Sequence, residues 1–259
     1  MPGSPAGRSK SLRGSRFGRL IPLMTNDNSP SEPRPPYLTL AAFAVAMAYL
    51  ESAVVVYLRA LFHPDGFHFP LEPIDPHFAG TELCREIATV VLIAAVARLS
   101  GAGLRAQLAA FVYVFGIWDL FYYAWLKVLI DWPQTLFDPD ILFLIPAPWV
   151  GPVLAPALVS VFLVALAFVL RPIRPRPSPP PRVGWPEWGL LLGGGALVLW
   201  TFLAPNLFTA GLDQPVVYPE RYDWKLFGMG LTAGCWALAR LRLKARRPAG
   251  PPTLILPSS

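Results

Sequence analysis

The chain has 259 residues, 54% of them hydrophobic and 15% charged, with a mean hydropathy of +0.46 and a formal net charge of +6. Soluble domains are about 45–50% apolar and about 25% charged, so this composition argues against an ordinary soluble domain. Two cysteines exclude a disulfide framework, and the basic residues flank apolar blocks, so nucleic acid is not needed to explain the positive charge.

Residues 1–36 are rich in Ser, Pro, Gly and Arg and read as a disordered basic tail. Met24 is an alternative start that would remove most of the basic arm. Six apolar blocks follow: Tyr37 to Phe62, Ala79 to Leu99, Leu104 to Ile130, Val150 to Leu170, Trp188 to Leu203 and Trp224 to Leu243. A bilayer core about 30 Å thick needs about 20 mostly apolar residues per helix. The blocks do not alternate in polarity as barrel strands do, and backbone groups in lipid must pair within their own segment. The expected fold is therefore all-α, a polytopic integral membrane protein with about six transmembrane helices. The first block is too long for a signal-peptide core and reads as a retained helix.

Lys and Arg set the expected orientation. The N-terminal tail carries Arg8, Lys10, Arg13, Arg16, Arg19 and Arg34. The second connection is bounded by Arg98 and Arg105, and the fourth holds Arg171, Arg174, Arg176 and Arg182. The C-terminal tail holds Arg240, Arg242, Lys244, Arg246 and Arg247. The other side has Arg59, Lys127, Arg221 and Lys225. By the positive-inside rule both termini face the cytoplasm, in a layout that fits a bacterial inner membrane. The organisation reads as a tail at 1–36, a four-helix membrane unit at 37–170, a Pro/Arg-rich linker at 171–186 expected to be extended, a two-helix hairpin at 187–243 and a tail at 244–259. Cys84 and Cys235 lie at different depths and read as packed, unbridged thiols.

Charged residues within the helices carry the functional question, because an ionised side chain at the bilayer centre costs about 2.5–3.5 kcal/mol on insertion scales. Glu82, Arg85 and Glu86 stand at i, i+3, i+4 and share one face of the second helix. Asp119, Tyr122, Tyr123 and Lys127 share one face of the third, and Glu51 and Arg59 share a stripe of the first. These stripes overlap in depth, which points to a periplasm-facing polar pocket of Glu51, Glu82, Arg85, Glu86, Asp119, Tyr122 and Tyr123. Four carboxylates outnumber Arg85, and one stays unmatched even after Arg59 and Lys127 are counted. An unmatched carboxylate in low dielectric is protonated, solvated or paired with an external cation.

Three functions remain open. The first is binding or transport of a small cation, proton or polar ligand, although the inner halves of the helices hold almost no ionisable residues and no inverted repeat is visible. The second is a membrane-embedded enzyme acting on a lipid or isoprenoid with the same carboxylates. The third is an accessory subunit whose charges only position it in a larger membrane complex; a homo-oligomer is also open, and in a purely structural reading the charged pairs set helix register. No cofactor is indicated. His63, His68 and His77, in or next to the first loop, are weak metal candidates, because no HExxH or CxxC spacing accompanies them.

Two further features carry structural expectations. The segment from Asp131 to Pro152 alternates prolines and aromatics around an apolar run too short to span, and reads as a stretch lying at or dipping into the outer interface. Trp132 and Trp149 read as members of an aromatic belt, as do Trp185, Trp188 and Trp224. Gly193, Gly194 and Gly195, with Gly230 and Gly234, read as sites of close helix packing.

Overall fold

The computed structural model describes residues 37–64, 66–72, 75–100, 103–170, 183–208 and 215–246. The expected tail at 1–36, most of the linker and the last residues of the chain lie outside the described residues. Six helices are present among those described: α1 (Tyr37–Phe62), α2 (Pro76–Leu99), α3 (Leu104–Ile130), α4 (Leu154–Leu170), α5 (Trp185–Leu203) and α6 (Trp224–Arg246). Three of them, α1, α3 and α5, are long and apolar enough to cross a membrane, and α4 is a shorter apolar helix of 17 residues. At about 1.5 Å per residue, the 26 residues of α1 reach about 39 Å. Apolar side chains such as Leu38, Leu50 and Leu61 on α1, Leu92 on α2 and Met229 and Trp236 on α6 are exposed. Outward apolar surface of this extent suits lipid better than water.

The largest core cluster joins α1, α2, α3 and α4 around Leu40, Met47, Ile93, Tyr113, Val114 and Trp118. Ala44 and Ala48 on α1 and Ala109 and Ala110 on α3 are fully buried, and small side chains let helix backbones approach closely in the absence of a hydrophobic drive. Ser52 on α1 strengthens that seam by donating to the Ala48 carbonyl at 2.8 Å and the Tyr122 carbonyl at 3.0 Å. Gly116 on α3 meets α4 directly, since a Cβ there would lie 2.7 Å from the Ser160 carbonyl oxygen.

Helices α5 and α6 form a second close pair. A Cβ on Gly194 would stand 2.5 Å from the Gly230 carbonyl oxygen, and one on Gly230 would stand 2.6 Å from that of Gly194. Gly193 and Gly195 have open space instead, so one glycine of the three supports the close approach, while Gly234 faces the Phe162 ring on α4. At one end of this pair, fully buried Glu187 accepts from Arg240 Nε at 2.8 Å and Lys244 Nζ at 2.6 Å. Its Oε2 also takes the Gly184 backbone N–H at the start of α5.

The segment after α3 departs from the all-helical expectation. Two antiparallel strands, β1 (Pro139–Phe143) and β2 (Trp149–Pro152), form a hairpin, with Asp140 opposite Gly151 and Ile141 opposite Val150. Pairing of Val150–Pro152 in β2 delays the fourth helix to Leu154, four residues later than the apolar block begins. Pro156 is accommodated in the first turn of α4, where no intrahelical N–H bond is needed. Ala147, Val150 and Val153, in and beside the hairpin, are buried.

The three connections α1–α2, α3–α4 and α5–α6 gather at one end of the bundle. Leu71 and Val216 exchange backbone hydrogen bonds, each at 3.0 Å. Asn206, buried after α5, accepts the Val217 N–H and donates to the Val217 carbonyl, both at 3.0 Å. Trp132, Trp149 and Trp224 join this packing. Trp132 lies over Arg59, Trp149 stacks on Phe202 and donates to the Ile145 carbonyl, and Trp224 packs on Tyr222 and Phe227. Trp185 alone of the five is almost wholly exposed. Cys84 and Cys235 are exposed, a correction to the packed thiols expected from sequence. Each stands on the outward face of its helix, where a small thiol is compatible with an apolar surround.

Candidate functional site

Helical spacing brings the charged stripes together. Glu82, Arg85 and Glu86 project from one face of α2, Glu51 and Arg59 from α1, and Asp119, Tyr122 and Tyr123 from α3. All of them line a single cavity of about 180 Å³. The hairpin closes one side of it, with Asp140, Ile141, Leu142, Phe143 and Leu144 in the wall. A phenylalanine from the first loop, Phe67, and Leu71 and Val216 from the tied connections complete the lining.

The polar groups fall into four sets. Arg85 on α2 pairs with Glu51 on α1 and, through Nε at 2.7 Å, with Glu82 one turn away. Thr89 Oγ1 also donates to Glu51, at 3.3 Å. Glu86, buried, accepts the Leu144 backbone N–H with both oxygens, at 2.8 and 3.1 Å. Asp119 accepts from Ser160 Oγ on α4 at 2.7 Å. Arg59 Nη2 stands 3.3 Å from Asp140 Oδ1, and its guanidinium carbon lies 4.3 Å above Phe67 and 3.8 Å above Trp132, so the charge sits against two aromatic faces.

Asp140 is the site residue that the helical stripes could not supply. It is 2% exposed, and burial pushes its carboxyl from the usual range to about 7, opposed by the Arg59 charge. Lys127 moves the other way. Its ammonium turns to Asp131, at 2.7 Å, and to the Pro133 carbonyl, closing the turn after α3. Lys127 is therefore no counter-charge for the cavity. Five carboxylates (Glu51, Glu82, Glu86, Asp119 and Asp140) face two guanidiniums (Arg59 and Arg85), before exposed Glu72 is counted. The surplus of carboxyl groups over guanidiniums is larger than the helix stripes alone implied.

The histidines do not assemble a metal centre. His63 stands edge-on to Phe67, with burial and the neighbouring Arg59 charge lowering its pKa. His68 and His77 are exposed, and His77 uses its backbone N–H on the Asp75 side chain that caps α2. Among the described residues no three His, Cys, Asp or Glu side chains converge as metal ligands.

Buried polar atoms of the cavity lining without a hydrogen-bond partner are Nε of Arg59, the Nε1–H of Trp118, a residue 5% exposed, and Oδ2 of Asp140, together with Nη1 of Arg85, which meets Glu51 as an ion pair. Sequence could place Trp118 one residue before Asp119 but could not show that its N–H goes unused. Comparison with protein-family models, with curated proteins and with solved structures finds no match for this chain.

Proposed function

We propose that this chain is a multi-pass protein of a bacterial inner membrane, with six spans and both termini in the cytoplasm, whose periplasm-facing cavity binds or transports a small cation. The observation that carries the proposal is the acidic lining of the cavity, five carboxyl groups against two guanidiniums in a largely apolar shell. Surplus carboxylates in such a setting either hold protons or take a cation from outside. The orientation rests on the distribution of Lys and Arg. It agrees with three connections meeting at one end while Arg240 and Lys244 lie at the other. On this assignment the cavity lies toward the periplasm and the Glu187 clasp toward the cytoplasm.

The test is cation-dependent thermal stability of the protein in mild detergent at fixed ionic strength, with sodium, potassium, calcium and ammonium salts, at several pH values. Saturable stabilisation by at least one cation, weakened in Glu86→Gln and Asp119→Asn, supports the proposal. Indifference to every cation and to pH, in wild type and variants alike, contradicts it. Flux into proteoliposomes under the same cation then separates transport from binding.

A further inference from the structure

Resting on the cation-binding proposal, we infer that the ligand is a small organic ammonium with an apolar body and a hydrogen-bond acceptor, and not a bare metal ion. The carboxylates are each engaged from a different direction. Arg85 holds Glu51 and Glu82, the Leu144 N–H holds Glu86, Ser160 holds Asp119 and Arg59 holds Asp140. Metal ions need several oxygens converging within about 2.0–2.6 Å, and this dispersed arrangement spreads negative charge over the cavity wall instead. A diffuse negative wall suits a weakly hydrated, extended cation.

The lining supplies the rest of the recognition. Phe62, Phe67, Trp118, Tyr122, Tyr123 and Phe143 all face the cavity. Ammonium groups are attracted to aromatic faces, and the attraction grows when both are desolvated. The unpartnered atoms then define complementary needs. Asp140 Oδ2 has no donor at bonding distance, although the Tyr123 hydroxyl acts on the same carboxyl, and the Trp118 Nε1–H, like the Arg59 Nε–H, lacks an acceptor; Asp140 and Trp118 are both more than nine-tenths buried. An ammonium N–H answers the first, and a hydroxyl or carbonyl oxygen of the same molecule answers the second. A cavity of about 180 Å³ leaves space for on the order of ten non-hydrogen atoms, taking about 10–15 Å³ of such volume per water-sized group. Ligand sites of this kind are mostly apolar with a few placed polar groups.

The experiment titrates the full chain in mild detergent with 2-amino-1-phenylethanol and with its uncharged analogue 1-phenylethane-1,2-diol. 2-Phenylethylamine, which lacks the hydroxyl, and potassium chloride are run in parallel, with calorimetry and thermal shift as readouts. The amino alcohol is expected to bind saturably, at least about tenfold more tightly than the diol and more tightly than 2-phenylethylamine. Trp118→Phe is expected to remove the advantage of the amino alcohol over 2-phenylethylamine, with a smaller loss of affinity for the amine itself, because phenylalanine keeps an aromatic face but no N–H. Asp140→Asn is expected to weaken both amines. Equal binding of the diol and the amino alcohol overturns the inference. Stabilisation by potassium or protons with no response to either amine also overturns it, and leaves the cation-binding proposal standing. No response to any cation overturns both. The wild-type comparison of four solutes stands even if a variant fails to fold.

Discussion

Glu86 on α2 accepts the backbone N–H of Leu144 through Oε2 at 2.8 Å and Oε1 at 3.1 Å, so a carboxylate of a helix holds the end of the first strand of the hairpin. The two residues are 58 positions apart, and their bond joins the wall built by α2 to the wall built by the hairpin. It also fixes where Phe143 and Asp140 stand relative to Arg85. The cavity therefore owes part of its shape to one of its own charged groups.

That bond separates two substitutions of Glu86. Glu86→Ala leaves the Leu144 N–H without its acceptor, and an unmet buried donor costs about 1–3 kcal/mol. Glu86→Gln keeps an oxygen for the N–H and removes only the charge. Thermal denaturation in detergent is expected to rank wild type and Glu86→Gln close together, with Glu86→Ala clearly lower. Equal stability of Ala and Gln variants would show that the hairpin is not held there.

The glycines of α5 and α6 provide a test with internal controls. Gly194→Ala and Gly230→Ala each place a methyl group against the facing backbone carbonyl, at 2.5 and 2.6 Å before any adjustment. Overpacking of this kind costs about 1–3 kcal/mol. Gly193→Ala and Gly195→Ala meet nothing within 4 Å and are expected to be neutral or slightly stabilising, since alanine is the better helix former. Denaturation midpoints of the four variants check the contrast. Equal losses across all four would contradict the close contact.

Asp140 gives a pH dependence with a defined sign. Its folded-state value of about 7 lies above the unfolded value, so the folded chain holds the proton more tightly. The stabilising contribution is fully present below about pH 4 and is lost as pH rises toward about 7. Asp140→Asn removes the titration, and the difference in midpoint between pH 5 and pH 8 is expected to shrink. Arg59→Gln removes the charge that lowers Asp140, so the fall in stability is expected to extend to higher pH. An unchanged pH profile in both variants would exclude Asp140 as its source.

Orientation is tested by single cysteines in a background with Cys84 and Cys235 replaced by serine. Ser178→Cys, in the linker, is expected to resist a membrane-impermeant maleimide in intact cells and to react after permeabilisation. Glu220→Cys, in the α5–α6 connection, is expected to react in both. The opposite pattern would turn the cavity toward the cytoplasm.

Seven of the helical residues that line the cavity could be located from sequence because a helix repeats every 3.6 residues. Spacings of three and four place Glu82, Arg85 and Glu86, or Asp119, Tyr122 and Tyr123, on one face whatever they contact. Asp140 had no such rule. It sits in D-P-D-I-L-F-L-I-P, where a short apolar run bounded by prolines does not separate strand from interfacial segment. Its importance depends on pairing with β2 and on Arg59, 81 positions away. Tryptophan favours interfaces, and nothing local to Trp132 in the sequence shows the Arg59 guanidinium against its ring. Glu187, at the start of one block, and Arg240 and Lys244, at the end of the next, meet because consecutive antiparallel helices bring those ends together.

The most direct test of the central claim, that the surplus carboxylates of the cavity take up a cation, is infrared difference spectroscopy of the reconstituted protein on cation addition. Sodium, potassium and 2-amino-1-phenylethanol are added in turn at constant pH. The account predicts that at least one of them changes the carboxyl and carboxylate bands saturably, and that Glu86→Gln and Asp119→Asn each reduce the change. A carboxyl region that stays the same at saturating concentrations of all three would contradict it, leaving these side chains as structural groups that brace the helices.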